Sequence, residues 1–246
     1  MKQPDNYYEI CEKANQCRRL WNVAENMPID ILSIVLDKIP NVTVVFLDME
    51  EDLSGSSLKT RDQTIIFVNS HHSLGRQRFT IAHELYHLEY QDEFRHCGLL
   101  NSDDEIEEDA DNFASCLLMS NGALFNYEVE NNISEWNLKD VIQTEQYFQI
   151  SHKSLLRRLK ILGKISEEKY DEYLPNVKQK ASELGYSIHL YNPYSEKENL
   201  VLGNYIKLIQ ETYDEGLISK SKREEYLLDA FQEDLIYNNG MDDLIE

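Results

Sequence analysis

Cysteine is scarce in this chain, and cations are outnumbered. Four cysteines, Cys11, Cys17, Cys97 and Cys116, occur in 246 residues, with no CxxC pair and far below the density of a disulfide scaffold. They read as small apolar residues rather than metal ligands, and a reducing cytosol is their natural setting. Lys and Arg total 24 against 45 Asp and Glu, a formal charge of −21. That balance excludes a protein whose main work is neutralising phosphates, because nucleic-acid affinity comes largely from Lys and Arg contacts. It favours solubility and basic partners instead. The run Met1-Lys2-Gln3-Pro4-Asp5-Asn6-Tyr7-Tyr8 has no apolar core of a signal peptide, and no later apolar run approaches the roughly 18 residues that span a bilayer. The expectation is a cytoplasmic protein with no membrane partner.

Length suits one large domain, or one domain with a smaller appendage. Residues 8–25 and 29–39 read as helices, the second carrying Ile31, Leu32, Ile34, Val35 and Leu36 on an apolar face before Pro40. The period then changes. Val42-Thr43-Val44-Val45-Phe46-Leu47 and Thr64-Ile65-Ile66-Phe67-Val68 are β-branched and aromatic runs bounded by turn residues, and a further short strand fits 56–60. Helices are expected over about 74–89 and 103–119, with an irregular stretch of about 91–102 between them. Beyond residue 135 the chain reads as entirely helical, with helices at 138–147, 152–162, about 201–214 and about 220–237, and a frayed end at 242–246. The expected fold class is α+β, mostly helical with a small mixed or antiparallel sheet. The expected division is a domain at 1–130, a helix-turn-helix-like segment at 131–174 and a helical C-terminal extension at 175–246.

Within the 74–89 helix lies His83-Glu84-Leu85-Tyr86-His87, an HExxH pattern. Histidines four apart on a helix share one face, so both imidazoles can reach a single ion. Glu84 falls about 100° round from His83, close enough to reach a water at the ion without being a ligand. Composition alone can produce such a pentapeptide by accident, so its context has to support it. A catalytic zinc usually takes three protein ligands, which leaves two histidines one short. In the 103–119 helix, Ile106, Ala110, Phe113, Ala114, Leu117 and Leu118 make one apolar stripe. On a helical wheel that stripe centres at about 40–60°, with Glu107 at about 100°, Asp111 at about 140° and Glu108 at about 200°, toward water. Glu107 is therefore the expected third ligand. Asp111, one turn on, is placed to accept the second ring N–H of a zinc-bound histidine. Asp103, Asp104 and Glu105 read as a solvated acidic helix start. His71 and His72 precede the motif helix as loop residues, His96, His152 and His189 have no matching spacing, and Tyr86 points away from the metal face.

The strand Ile66-Phe67-Val68-Asn69, the run Arg76-Gln77-Arg78-Phe79-Thr80-Ile81-Ala82-His83-Glu84-Leu85-Tyr86-His87, and the pattern Glu107, Ala110, Asp111, Phe113, Ala114, Leu117, Leu118, Met119 together resemble the ImmA/IrrE metallopeptidases. The nineteen residues between His87 and Glu107 are similar to the spacing of zincins whose third ligand is a glutamate. Phe148, Ile150, Ser151, Leu155, Arg158, Leu159, Leu162 and Gly163 resemble the helix-turn-helix-like portion of that family. The similarity covers roughly 25–170, and residues 175–246 resemble the C-terminal extensions of some members. Ser120 stands where the family commonly has Pro, and Tyr86 where Gly is frequent. The resemblance implies a zincin-like fold and a zinc-dependent endopeptidase that cuts a helix-turn-helix transcriptional repressor and so relieves repression, in phage, mobile-element or stress regulation. Zn2+ would be held by His83, His87 and Glu107, with Glu84 as the proton carrier and the substrate extended along the sheet edge beside Thr64 to Val68.

Two other classes stay open. One is a non-proteolytic regulator, an anti-repressor or toxin–antitoxin component, that holds a repressor and uses zinc structurally. The other uses the locally basic stretch at 152–164, with Lys153, Arg157, Arg158, Lys160 and Lys164, to bind duplex DNA; the competing reading of that stretch is a packed helical hairpin with a solvated basic face.

Overall fold

A computed structural model describes residues 6–90, 104–195 and 198–237. The irregular stretch, Asp103, His96, Cys97 and the frayed end expected from sequence lie outside the described residues. Helices α1 (Tyr7–Leu20) and α2 (Ile31–Lys38) precede strands β1 (Val42–Leu47), β2 (Gly55–Lys59) and β3 (Thr64–Asn69). Then come α3 (Leu74–Tyr90), α4 (Asp104–Leu118), α5 (Asn121–Glu130), α6 (Leu138–Phe148) and α7 (His152–Ile161). The C-terminal part contains α8 (Glu167–Tyr173), α9 (Val177–Glu183), a 3₁₀ turn at His189–Tyr191, strand β4 (Leu200–Gly203), α10 (Asn204–Asp214), α11 (Lys220–Asp229) and α12 (Asp234–Tyr237). The fold is α+β and mostly helical, as expected.

The sheet runs β2-β3-β1-β4, with β1 parallel to β3 and both outer pairs antiparallel. Strand β1 is buried at Val42, Val44 and Phe46, and β3 at Thr64, Ile66 and Val68, the period-2 alternation that their sequences carry. Each buried apolar side chain of this size contributes about 1.5–3 kcal/mol. Helix α2 stops at Lys38 because Ile39 precedes Pro40 and is extended, with φ −91° and ψ 116°.

Strand β4 corrects the reading that the chain is all helix beyond residue 135. Leu200-Val201-Leu202-Gly203, expected to open a helix from about 201, instead pairs with Phe46-Val45-Val44-Thr43. Three apolar residues before a glycine fit either state, and the edge of β1 decides between them. The helix begins only after Gly203, whose φ of +97° and approach to the Val42 carbonyl, 2.5 Å from where a Cβ would sit, admit only glycine. A second correction concerns β3, which has a neighbour on each side and so offers no edge to a substrate; the sheet's outer strands are β2 and β4.

Helices α3 and α4 pack together, and α1 covers α4. Tyr86 is buried between them, its ring 5.3 Å from that of Tyr90 and 5.6 Å from that of Phe113. Two of the cysteines expected as separate small apolar residues, Cys11 on α1 and Cys116 on α4, form a disulfide across this interface, their Cα atoms brought to 5.2 Å by the helix packing. The C-terminal carbonyls of α4 meet two buried arginines. Arg18 donates to Leu117 O at 2.5 Å and to Ala24 O at 2.6 Å. Arg158 donates to Ser115 O at 2.8 Å, to Met119 O, and to Asn121 Oδ1 at 2.6 Å. Burial pushes the Arg18 pKa down to about 10 and lowers that of Arg158; a guanidinium in a protein keeps its charge, which suits the negative end of the helix. Ser120 caps α5, accepting from Ala123 N at 2.9 Å and donating to Glu25 O at 2.7 Å; a proline at this position would lose both bonds.

The helix-turn-helix-like pair is built into the core. Gln149 ends α6 in the left-handed region at φ 56°, and Ser151 caps α7. Leu155, Leu156 and Leu159 are fully buried. His152 places Nδ1 2.6 Å from Glu145 Oε2 and Nε2 3.1 Å from Tyr173 O, while Tyr191 donates to Glu145 Oε1 at 2.5 Å. A carbonyl can only accept, so Nε2 carries the hydrogen of that bond. Burial raises the Glu145 carboxyl above the usual range.

Removing the Arg158 guanidinium takes a charged donor from Ser115 O, Met119 O and Asn121 Oδ1; Ser115 O keeps Met119 N–H and Asn121 Oδ1 keeps the Tyr7 hydroxyl, while Met119 O is left buried without that partner. Arg158→Leu is expected to lower the unfolding free energy by about 3–5 kcal/mol, against about 0.5 kcal/mol or less for Lys207→Ala on the exposed face of α10. Urea denaturation checks this, and equal midpoints would refute the role of Arg158.

Candidate active site

Helix α3 is long enough, and buried on enough of its circumference, to hold two histidines at fixed spacing. His83 and His87 share a face, their ring centroids 4.8 Å apart and their Nε2 atoms 3.0 Å apart. Helix α4 crosses there and brings Glu107 to them, with Oε2 3.2 Å from His83 Nε2 and Oε1 3.7 Å from His87 Nε2. Among the described residues these three form the group able to hold a metal ion. Donors around tetrahedral zinc, with bonds of about 2.0–2.1 Å, lie about 3.3 Å apart. The three separations bracket that value, and two imidazoles with one carboxylate are the donor chemistry zinc takes in hydrolytic sites, so the residues fit such an ion.

Asp111 sits one turn beyond Glu107 and places Oδ1 3.0 Å from His83 Nδ1. An ionised carboxylate only accepts, so Nδ1 carries a hydrogen, and in the neutral ring Nε2 is then the atom whose lone pair faces the shared point. The Asp111 carboxyl is pushed up by burial, but the hydrogen bond and charge of His83, with the charge of Arg157, outweigh this and hold it below its ordinary value. Glu107 is lowered, chiefly by its bond to His83.

Glu84 is 3% exposed and stands outside the donor group. Ser57 on β2 donates its hydroxyl to Glu84 Oε2 at 2.8 Å. Burial raises the Glu84 carboxyl, opposed by the His83 charge and the Ser57 bond. A carboxylate raised in this way is a stronger proton acceptor than one in water.

Sequence reasoning missed Ser57 and read Arg157 differently. Serine in a turn-flanked edge strand carries no motif, and only the packing of β2 on α3 aims it at Glu84. Gly55 permits that packing, since a Cβ there would lie 2.4 Å from Phe67 O and 2.5 Å from Thr80 Cγ2. His71 and His72 stay outside the donor group. His71 Nε2 is 2.7 Å from Asp48 Oδ1 and His72 Nε2 is 3.0 Å from Glu51 O, so both hold the loop before β2. Glu108, expected to point to water, is half-exposed and 3.7 Å from Arg157 Nη2. The basic stretch is largely engaged: Arg157 with Asp111, Arg158 in the core, Lys160 with Glu167 at 2.9 Å, and Lys164 with Glu128 at 2.7 Å.

The sequence model of the IrrE N-terminal-like domain, a peptidase family, matches residues 38–160. The chain belongs to that family. No curated protein matches the chain. The IrrE N-terminal-like domain spans β1 to nearly the end of α7, and so includes His83, Glu84, His87, Glu107, Asp111, Ser57 and Arg157. Helix α1, with Arg18 and Cys11, and strand β4 fall outside it and still buttress its α4 and β1. Membership supports a metallopeptidase of the ImmA/IrrE type.

In the protein without an ion, burial pulls the His83 pKa down, but hydrogen bonds to Asp111 and Glu107 and the charge of Glu84 more than reverse it, to about 10. Because that value lies above the ordinary 6.5, the stability contributed by the imidazolium is complete below pH 6.5 and is lost as pH rises through about 10. A metal ligand must be neutral. Zinc uptake at pH 7 is therefore expected to release about one proton per ion from His83. Titration calorimetry in two buffers of different ionisation enthalpy measures this, and buffer-independent heats would contradict it.

Proposed function

We propose that the protein is a zinc-dependent endopeptidase acting on a cytosolic protein, with a helix-turn-helix transcriptional repressor as substrate and relief of repression as the result. One observation carries the reading: His83, His87 and Glu107 converge with metal-ligand spacing, while the neighbouring Glu84 is buried, held by Ser57 and left outside the donor group. A structural zinc site has four protein ligands and needs no buried base beside it, whereas a hydrolytic site needs both an open position and a base.

When bound, the ion lowers the pKa of water toward about 7 and polarises the scissile carbonyl. Glu84 accepts the proton of the attacking water and passes it to the leaving amine. Ser57, bonded to Oε2, leaves the other carboxylate oxygen for that exchange. Asp111 keeps His83 in the tautomer that presents Nε2. The substrate segment runs extended along β2, an outer strand of the sheet whose Ser57 reaches the base and whose Lys59 contacts the C-terminal part of α3 through Leu88 O at 3.1 Å. A strand edge offers main-chain hydrogen bonds, which suits a peptide of any sequence. No helix of the described residues is long and apolar enough to cross a membrane.

Glu84→Gln is expected to keep zinc and to lose peptide cleavage by at least ~100-fold. The measurement is mass analysis of a candidate repressor after incubation with each protein, beside a repressor-controlled reporter. Loss of fragments together with loss of derepression supports proteolysis. Derepression by Glu84→Gln equal to that of the parent protein would instead establish a regulator that acts by holding its partner.

A further inference from the structure

We infer that Arg157, on the second helix of the helix-turn-helix-like pair, is a positioning residue of the metal centre, acting through Asp111 on His83. The inference rests on the reading of His83, His87 and Glu107 as metal ligands. By composition Arg157 is one member of a basic stretch that could face a duplex. In the fold it turns inward: Nη1 donates to Asp111 Oδ2, and Nη2 lies 3.7 Å from Glu108 Oε1.

The two oxygens of Asp111 thus have separate partners. Oδ2 takes the guanidinium and Oδ1 takes His83 Nδ1–H at 3.0 Å. A carboxylate at the end of a short side chain turns about its last torsion with little resistance. Pinning Oδ2 therefore decides where Oδ1 points, and Oδ1 in turn decides the orientation of the imidazole whose Nε2 lies 3.2 Å from Glu107 and 3.0 Å from His87. Arg157 and Asp111 are each about a third exposed or less, at 27% and 30%, so solvent weakens their Coulomb attraction. What remains is directional: a charged N–H donor on a carboxylate lone pair fixes geometry as well as energy. The neighbouring Arg158 has a different task, holding the end of α4. Adjacent arginines on α7 thus serve the same helix at two levels, one fixing where α4 ends and the other fixing the rotation of a side chain upon it.

The test is a double-variant cycle on metal affinity, with zinc competed against a chromophoric chelator and with the visible spectrum of the Co2+-loaded protein. Asp111→Asn is expected to weaken zinc binding by about 10- to 100-fold, and Arg157→Met, one step further out, by about 3- to 10-fold. In the Asp111→Asn background Arg157→Met should add nothing beyond about twofold, because its route to the ion is already cut. Both single variants should shift the Co2+ bands in the same direction, and Arg157→Lys should recover part of the lost affinity. Glu108→Gln should leave affinity unchanged. Thermal melts of the metal-free proteins separate folding from binding; if Arg157→Met does not fold, Arg157→Lys in both backgrounds carries the cycle. Losses that multiply in the double variant, or unchanged zinc affinity in Arg157→Met, would overturn the inference while leaving the metal site standing. Failure of the parent protein to bind either ion would remove the metal-ligand reading and this inference with it.

Discussion

The candidate metal centre depends on where α4 stops. His83 and His87 belong to one helix and keep their spacing by backbone geometry alone, but Glu107 and Asp111 arrive from another helix, and a slide of one residue, about 1.5 Å, would take both carboxylates out of reach. The end of α4 is held by Arg18 from α1 and Arg158 from α7, whose buried guanidiniums bond the carbonyls of Ser115, Leu117 and Met119. Ser115 O also accepts from Met119 N at 3.1 Å, whereas Leu117 O and Met119 O lie past the last backbone donor of the helix. Buried acceptors left unpaired are costly, so the bonds fix the helix along its axis. The Cys11–Cys116 disulfide and the Tyr86–Phe113 contact hold the same helix from its sides.

Around that frame the chemical tasks are spread over separate elements. Helix α3 supplies two candidate ligands and the proposed base, and α4 supplies the third candidate ligand and the carboxylate bonded to His83. Strand β2 supplies the hydroxyl on Glu84, and α7 supplies the arginine on Asp111. Each ligand or base thus has a contact from an element other than its own, which is how a site holds its side chains to a fraction of an ångström. The C-terminal part is more than an appendage. Strand β4 closes the β1 edge, and Tyr191 bonds the buried Glu145 of α6, so the parts of the chain beyond the family domain share its core.

Much of this was legible from residues alone. The HExxH spacing is a local property of a helix, and the apolar stripe at 106, 110, 113, 114, 117 and 118 orients α4 well enough to single out Glu107 and Asp111 from a crowd of acids. The strands β1 and β3 carry their alternation in plain sight. Ser57 had no signal, because a hydroxyl on a short strand acquires meaning only from what packs over it. Arg157 and Arg158 looked alike as members of a basic run; neighbours on a helix point about 100° apart, and which one met the core and which the site depended on where α4 lay. The strand at Leu200–Gly203 was hidden for a related reason, since three apolar residues take their conformation from a partner strand some 155 positions earlier, although Gly203 before the helix marked the break.

What the sequence by itself determined is whatever depends on contacts within one element: helix faces, strand alternation, and the candidate ligand pair of α3. Tertiary structure decided what depends on two elements meeting, namely the choice of β2 rather than β3 as the outer strand, the pairing of Cys11 with Cys116, and the turning of Arg157 toward Asp111. The physical reason is range. Backbone periodicity is set by neighbours a few residues away, whereas hydrogen bonds and packing between elements are set by distances that only the assembled core defines.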